Sequence, residues 1–168
     1  MNPSTAHPVP DKQDAWIAEF AEAFSSGYTL GDIYDYSERD YEAVYALGHG
    51  FYRQARYLDA LKAFTFLTMH QPIEPRFFRA QASCLQMLEQ YEQAISFYST
   101  ASVLDLTDPR PYFHTAECLI ALGHKEAATD ALQLAIKHCI SVDKKPLKDQ
   151  ASALLELLNN PRTASEGT

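Results

Sequence analysis

No stretch of this chain approaches the roughly 20 consecutive apolar residues a membrane-crossing helix needs; its apolar pieces, such as residues 64–69, are short and broken by threonine. Positive charge is also scarce. Fourteen Lys and Arg stand against 22 Asp and Glu, a formal net charge of -8, so the long-range field repels phosphate backbones and anionic lipid heads. Neither nucleic acid nor membrane insertion is expected. Cysteine is limited to three widely spaced residues, Cys84, Cys118 and Cys139, with no CxxC clip and an odd count, which argues against a disulfide framework and for small buried hydrophobes. The first fifteen residues hold three prolines and two aspartates and no sustained apolar run, unlike a secretory signal. These absences together describe a soluble intracellular protein.

Catalytic signatures are missing too. There is no glycine-rich phosphate loop, no GxSxG elbow and no HExxH string. The nearest constellation is His114 with Cys118, four apart on one helix face beside Glu117, and a zinc or thiolate site needs more partners than that. His138-Cys139 offers less. No enzyme, metal or cofactor is called for. What the chain does hold is apolar residues at 46% of 168, enough for one continuous core.

Those residues recur. Laid on itself at a shift of 34, the sequence pairs Val44, Phe78 and Tyr112; Leu47, Gln81 and Thr115; Gly48, Ala82 and Ala116; and Phe51, Leu85 and Leu119. Further on it pairs Tyr57, Tyr91 and Lys125; Ala60, Ala94 and Ala128; Phe64, Tyr98 and Leu132; and Leu67, Ala101 and Ala135, all without an insertion. This is the spacing of the tetratricopeptide repeat, two antiparallel helices joined by a tight turn. Small residues let paired backbones approach, and large ones fill the space between pairs. The usual tryptophan of such a repeat is replaced by Val44, Phe78 or Tyr112.

Local signals set the boundaries. Ser37 with Asp40 reads as a capping box, Pro75 as a first-turn proline, and Asp108-Pro109 as an N-cap followed by one. Turns are expected at Gln54-Ala55-Arg56, Glu89-Gln90 and Gly123-His124, the last with the glycine favoured beyond a helix C-terminus. Trp16, Ile17, Phe20, Ala21 and Phe24 recur at helical spacing, and Leu147, Ala151, Leu154, Leu155 and Leu158 form one apolar face, as a terminal capping helix requires. The reading is an all-α fold of three tandem helix pairs in a right-handed superhelix. It has a disordered tail at 1–12, a helical arm at 13–36, repeats within 40–139 (about 41–74, 75–108 and 109–142), a capping helix at 143–159 and a second disordered tail at 160–168.

In such a stack the first helices line the concave side. Their side chains not committed to the core include Glu42, Tyr45, His49, Tyr52 and Arg53; Arg76, Arg79, Ser83, Gln86 and Met87; and Arg110, Phe113, Glu117 and Ile120. Aromatic, Met and Arg side chains dominate binding energy at interfaces, so a peptide-binding groove is expected. The competing reading makes Tyr45, Tyr52 and Phe113 interior packing of a short solenoid.

Three strings are more particular: Glu74-Pro75-Arg76-Phe77-Phe78 leading to Cys84; Gln90-Tyr91-Glu92-Gln93-Ala94-Ile95 with Tyr98-Ser99; and Asp108-Pro109-Arg110-Pro111-Tyr112-Phe113-His114 leading to Ala116-Glu117-Cys118-Leu119. In these the chain resembles the bacterial type III secretion chaperones of the tetratricopeptide class, from about Phe20 to Cys139. The resemblance implies a cytoplasmic chaperone whose groove binds an extended N-terminal segment of a hydrophobic, pore-forming translocator, keeping it soluble and apart from its partner. It also implies Tyr45, Tyr52, Tyr57, Phe64 and Tyr98 as walls of cargo pockets, and a homodimer formed through the N-terminal arm. The alternative is a general adaptor of the same fold. A clamp for a free C-terminal carboxylate would place Lys and Asn where this chain has Tyr45 and His49, but Arg76, Arg79 and Arg110 remain able to receive another acidic segment.

Overall fold

The computed structural model describes residues 29, 31 and 35–160. The tail at 1–12, nearly all of the arm at 13–36 and residues 161–168 lie outside the described residues. Seven α-helices follow in order: α1 (Glu38–Arg53), α2 (Tyr57–His70), α3 (Pro75–Met87), α4 (Tyr91–Leu104), α5 (Arg110–Ala121), α6 (Lys125–His138) and, after a 3-10 turn at Val142–Lys144, α7 (Lys145–Asn159). Each helix packs chiefly on its neighbours in sequence, so three hairpins stack in a line and α7 covers the end. No strand occurs among the described residues.

The 34-residue period has a steric cause. Ala60, Ala82, Ala94, Ala116 and Ala128 are fully buried, as is Gly48, and these small side chains set the close approach of paired helices. Phe64, Tyr98 and Leu132 occupy equivalent positions on the second helices and are likewise shut from solvent. Burying a side chain of that size contributes about 1.5–3 kcal/mol. α7 places Leu147, Ala151, Leu154, Leu155 and Leu158 against Ala131, Leu132, Ala135 and Ile136, closing a face that a further repeat would otherwise cover.

All three hairpins turn in the same way. Ala55, Glu89 and Gly123 each take a left-handed φ, of 59°, 60° and 78°, and they lie 34 residues apart. In each turn the following N–H reaches back to a carbonyl five residues earlier: Arg56 to Phe51, Gln90 to Leu85 and His124 to Leu119. That bond satisfies a helix-end carbonyl and offsets the ~1–2 kcal/mol that a left-handed non-glycine residue costs.

Helix starts follow the capping chemistry. Ser37 accepts from the Asp40 N–H, and Asp40 accepts from the Ser37 N–H in return. The Glu74 carboxylate accepts from the Arg76 N–H at 3.3 Å, and Asp108 accepts from the Arg110 N–H at 3.0 Å. The helix proper begins at Arg110, one residue later than an Asp108 cap with Pro109 inside would place it. Between the first two hairpins the largely apolar core includes one polar network: buried Gln81 accepts from the Thr68 hydroxyl at 2.7 Å and donates to the Thr65 hydroxyl at 3.0 Å.

Candidate functional site

The first helices of the three hairpins face one hollow of about 370 Å³, lined by Tyr45, His49 and Tyr52 of α1, Phe64 of α2, Arg76, Arg79, Ala80 and Ser83 of α3, and Arg110 and His114 of α5. Arg110 and His114 also line a second hollow of about 530 Å³, which runs past Phe113 to Lys144 and Leu147 at the start of α7. The two form one groove along the stack, with Arg110 and His114 on the wall between them.

Aromatic contacts fix the floor. Tyr45 meets His49 edge-on at 4.5 Å and lies 5.8 Å from Phe64, which His49 approaches at 5.3 Å. Tyr52 stands edge-on to Tyr57 at 5.3 Å. Burial, reinforced by the positive charges of Arg53 and Arg79, pushes His49 below its ordinary value, so it presents a neutral ring at pH 7. Burial raises the Tyr52 phenol, which therefore offers an uncharged hydroxyl.

Above the floor runs a line of guanidinium groups. Arg76 lies over the rings of Tyr45 and Phe77 at 5.1 and 4.9 Å and is paired with Glu42 and Glu74. Arg79 donates to Asp108 at 2.6 Å, and Arg110 Nε donates to the same carboxylate at 2.8 Å. Burial pushes Asp108 up, but hydrogen bonds from the Arg110 side chain and backbone, with the charges of Arg79 and Arg110, outweigh it and hold the carboxyl below its usual range. Beneath α5 a polar chain runs inward. The Tyr98 hydroxyl donates to Gln86 at 2.8 Å and lies 3.1 Å from the Ser83 hydroxyl. Gln86 donates to Glu117 at 3.0 Å, and Glu117 meets His114 Nδ1 at 2.8 Å.

The structure thus brings Tyr45, His49, Tyr52, Phe64, Arg76, Arg79, Ser83 and Arg110 around one hollow and Phe113 to the next. Tyr98 is corrected from a pocket wall to a fully buried core residue, because its hydroxyl finds both of its partners inside the stack. Phe113 is largely core as well, packed with Ala116, Ala131 and Leu132. Gln86 and Glu117 serve the polar chain. Tyr57 supports Tyr52 from behind, whereas Arg53, Met87 and Ile120 line neither hollow. Ala80 was missed for lack of a binding side chain, and His114, singled out with Cys118, instead stacks on Tyr98 at 5.4 Å.

No family model matches the chain. The "Low calcium response locus protein H" of Yersinia pestis is 33% identical over 152 residues, covering 88% of each chain. A structure of a T3SS complex from Aeromonas hydrophila superimposes with a TM-score of 0.82 at 31% identity, over 87% of this chain and 98% of that one. The Yersinia enterocolitica type III secretion chaperone SycD, solved in complex with a peptide of the translocator YopD, matches at 33% identity and a TM-score of 0.71, over 75% and 97%. The chain belongs to the type III secretion translocator chaperones of the tetratricopeptide class.

In this translocator chaperone the thiols take no part in the groove. Cys84, Cys118 and Cys139 are buried and free, and burial pushes Cys84 and Cys118 up to about 12, the Glu117 charge adding to the effect at Cys118. No group of three His, Cys, Asp or Glu able to hold a metal occurs among the described residues. The native chaperone is expected to react negligibly with a thiol reagent at pH 8, releasing full reactivity only in denaturant. Rapid labelling of Cys118 in the folded protein would contradict its placement.

Proposed function

We propose that this chaperone binds an extended N-terminal segment of a hydrophobic, pore-forming translocator along its groove, in the bacterial cytoplasm, and so keeps the translocator soluble until export. The observation that carries the reading is the aromatic-floored hollow shared by the first helices of all three hairpins, with Tyr45, Tyr52 and Phe64 at its base. Such a floor removes apolar anchors from water, which a membrane-seeking chain otherwise exposes to aggregation. A segment that orders only on binding combines specificity with modest affinity, which suits later release. The reading assigns no catalysis. Among the described residues no helix is long and apolar enough to cross a membrane.

Self-association through the arm at 13–36 belongs to the same reading. It is supported by the face of α1 and α2 formed by Val44, Leu47, Phe51 and Phe66, an apolar hollow of about 360 Å³ at the positions where later hairpins receive a preceding one.

Tyr52→Glu tests the groove. A carboxylate placed beside Tyr57 in a half-buried aromatic setting is desolvated without a fixed partner, so co-purification with the translocator should be lost while the helical circular dichroism signal stays at the wild-type level. Recovery of the translocator at wild-type yield rules the groove out as its binding surface.

A further inference from the structure

The main hollow is lined by Arg76, Arg79 and Arg110 together with two histidines, and by no carboxylate, in a chain whose formal net charge is -8. A row of guanidinium groups thus edges this hollow, each paired with a carboxylate that lies outside its lining. Purely apolar cargo anchors would gain nothing from it.

The arginines differ in what they have left to give. Arg76 is held by Glu42 and Glu74 and flattened over Tyr45. Arg79 is 18% exposed and is committed to Asp108, whose side chain is only 5% exposed. Arg110 is 54% exposed and engages Asp108 through Nε, so its two terminal nitrogens are paired with no group among the described residues. Asp108 is shared between two guanidinium groups, so its one negative charge does not fully satisfy both. The carboxylate also holds Arg110 by both oxygens, at 2.8 and 3.1 Å, and so orients its free edge before any ligand arrives. A fixed planar guanidinium edge suits a carboxylate in a way that a flexible ammonium does not.

We propose that the segment held in this groove carries an aspartate or glutamate beside the apolar residue that fills the Tyr45, Tyr52 and Phe64 floor, and that Arg110 receives that carboxylate. This rests on the peptide-binding reading above and specifies its ligand. The acidic residue selects register: apolar anchors alone can slide by a residue or two along an aromatic floor, whereas a charge paired at Arg110 fixes one alignment. Phosphate backbones carry the same charge but no apolar anchor to fill that floor.

The test uses an array of overlapping 12-residue peptides covering the translocator that co-purifies with the chaperone. Each peptide is made a second time with every Asp and Glu changed to the amide, and a third time with its central apolar residue changed to Ala. The array is probed with the wild-type chaperone and with Arg110→Gln, an exposed substitution whose folding is checked by circular dichroism. Wild type should bind one segment about tenfold or more tightly in its acidic than in its amide form. That difference should vanish in Arg110→Gln, and the Ala form should bind poorly to both proteins. Equal binding of acidic and amide forms by wild type overturns the inference while leaving the groove reading intact. Failure of wild type to bind any segment overturns both.

Discussion

Replacing Gly48 with valine is expected to lower the melting temperature by roughly 10 °C and to weaken cargo binding beyond what the lost stability explains. A Cβ on Gly48 would sit 2.7 Å from Cε1 and 2.9 Å from Cζ of Phe64. That ring cannot swing aside, because it is fully buried and held between Tyr45 and His49. Two extra methyl groups enforce either a shift of α1 away from α2 or a displaced ring, at a cost of about 2–4 kcal/mol. Alanine is a useful contrast, since its helix propensity returns about 1 kcal/mol against a smaller overlap. The second effect arises because the same ring is part of the groove floor. Thermal unfolding followed by circular dichroism reads the first expectation and peptide titration at 10 °C reads the second. A melting point within about 2 °C of wild type would rule out the tight packing of Gly48 against Phe64.

The repeat was legible in the sequence because close packing leaves few choices: a small residue at the helix crossing and a large one between hairpins recur wherever the backbone does. The turns were legible only in part. Gly123 announces a left-handed residue, whereas Ala55 and Glu89 have no such preference, and their conformation is imposed by the helices on either side; only their offsets of two periods and one period from Gly123 hint at it. At the groove, Arg76 and Arg110 stand at equivalent repeat positions and could be placed on one face. The pairing of Arg79 with Asp108, 29 residues on, belongs to no period, since it depends on how one hairpin seats upon the next. Tyr98 misled for a related reason. The repeat register groups it with Phe64 and Leu132, whereas the family resemblance made it a pocket wall; Ser83 and Gln86, from the facing helix, satisfy its hydroxyl in the interior.

That unpredicted pair yields the second large effect. Asp108→Ala should cost about 2–4 kcal/mol, because it leaves Arg79 partly buried without its counter-charge and removes the acceptor for the first N–H of α5; exposure of Arg110 keeps the figure below that of a wholly buried network. Asp108→Asn keeps an acceptor and should cost clearly less. The charge contribution has a definite pH signature. Asp108 titrates below its ordinary value in the folded chain, so the unfolded chain takes up the proton first as acid is added. The associated stability is complete above the ordinary carboxylate value of about 3.9 and is lost as pH falls from there through the lowered folded value. Glu117, Asp105 and Asp40 shift in the same direction, so the decisive quantity is the difference between wild type and Asp108→Asn, measured by urea unfolding at pH 7 and again near pH 3. A gap that narrows in acid assigns the loss to the carboxylate charge. A gap of the same size at both values would mean that shape, not charge, joins the second hairpin to the third, and would remove the electrostatic basis for the orientation of Arg110.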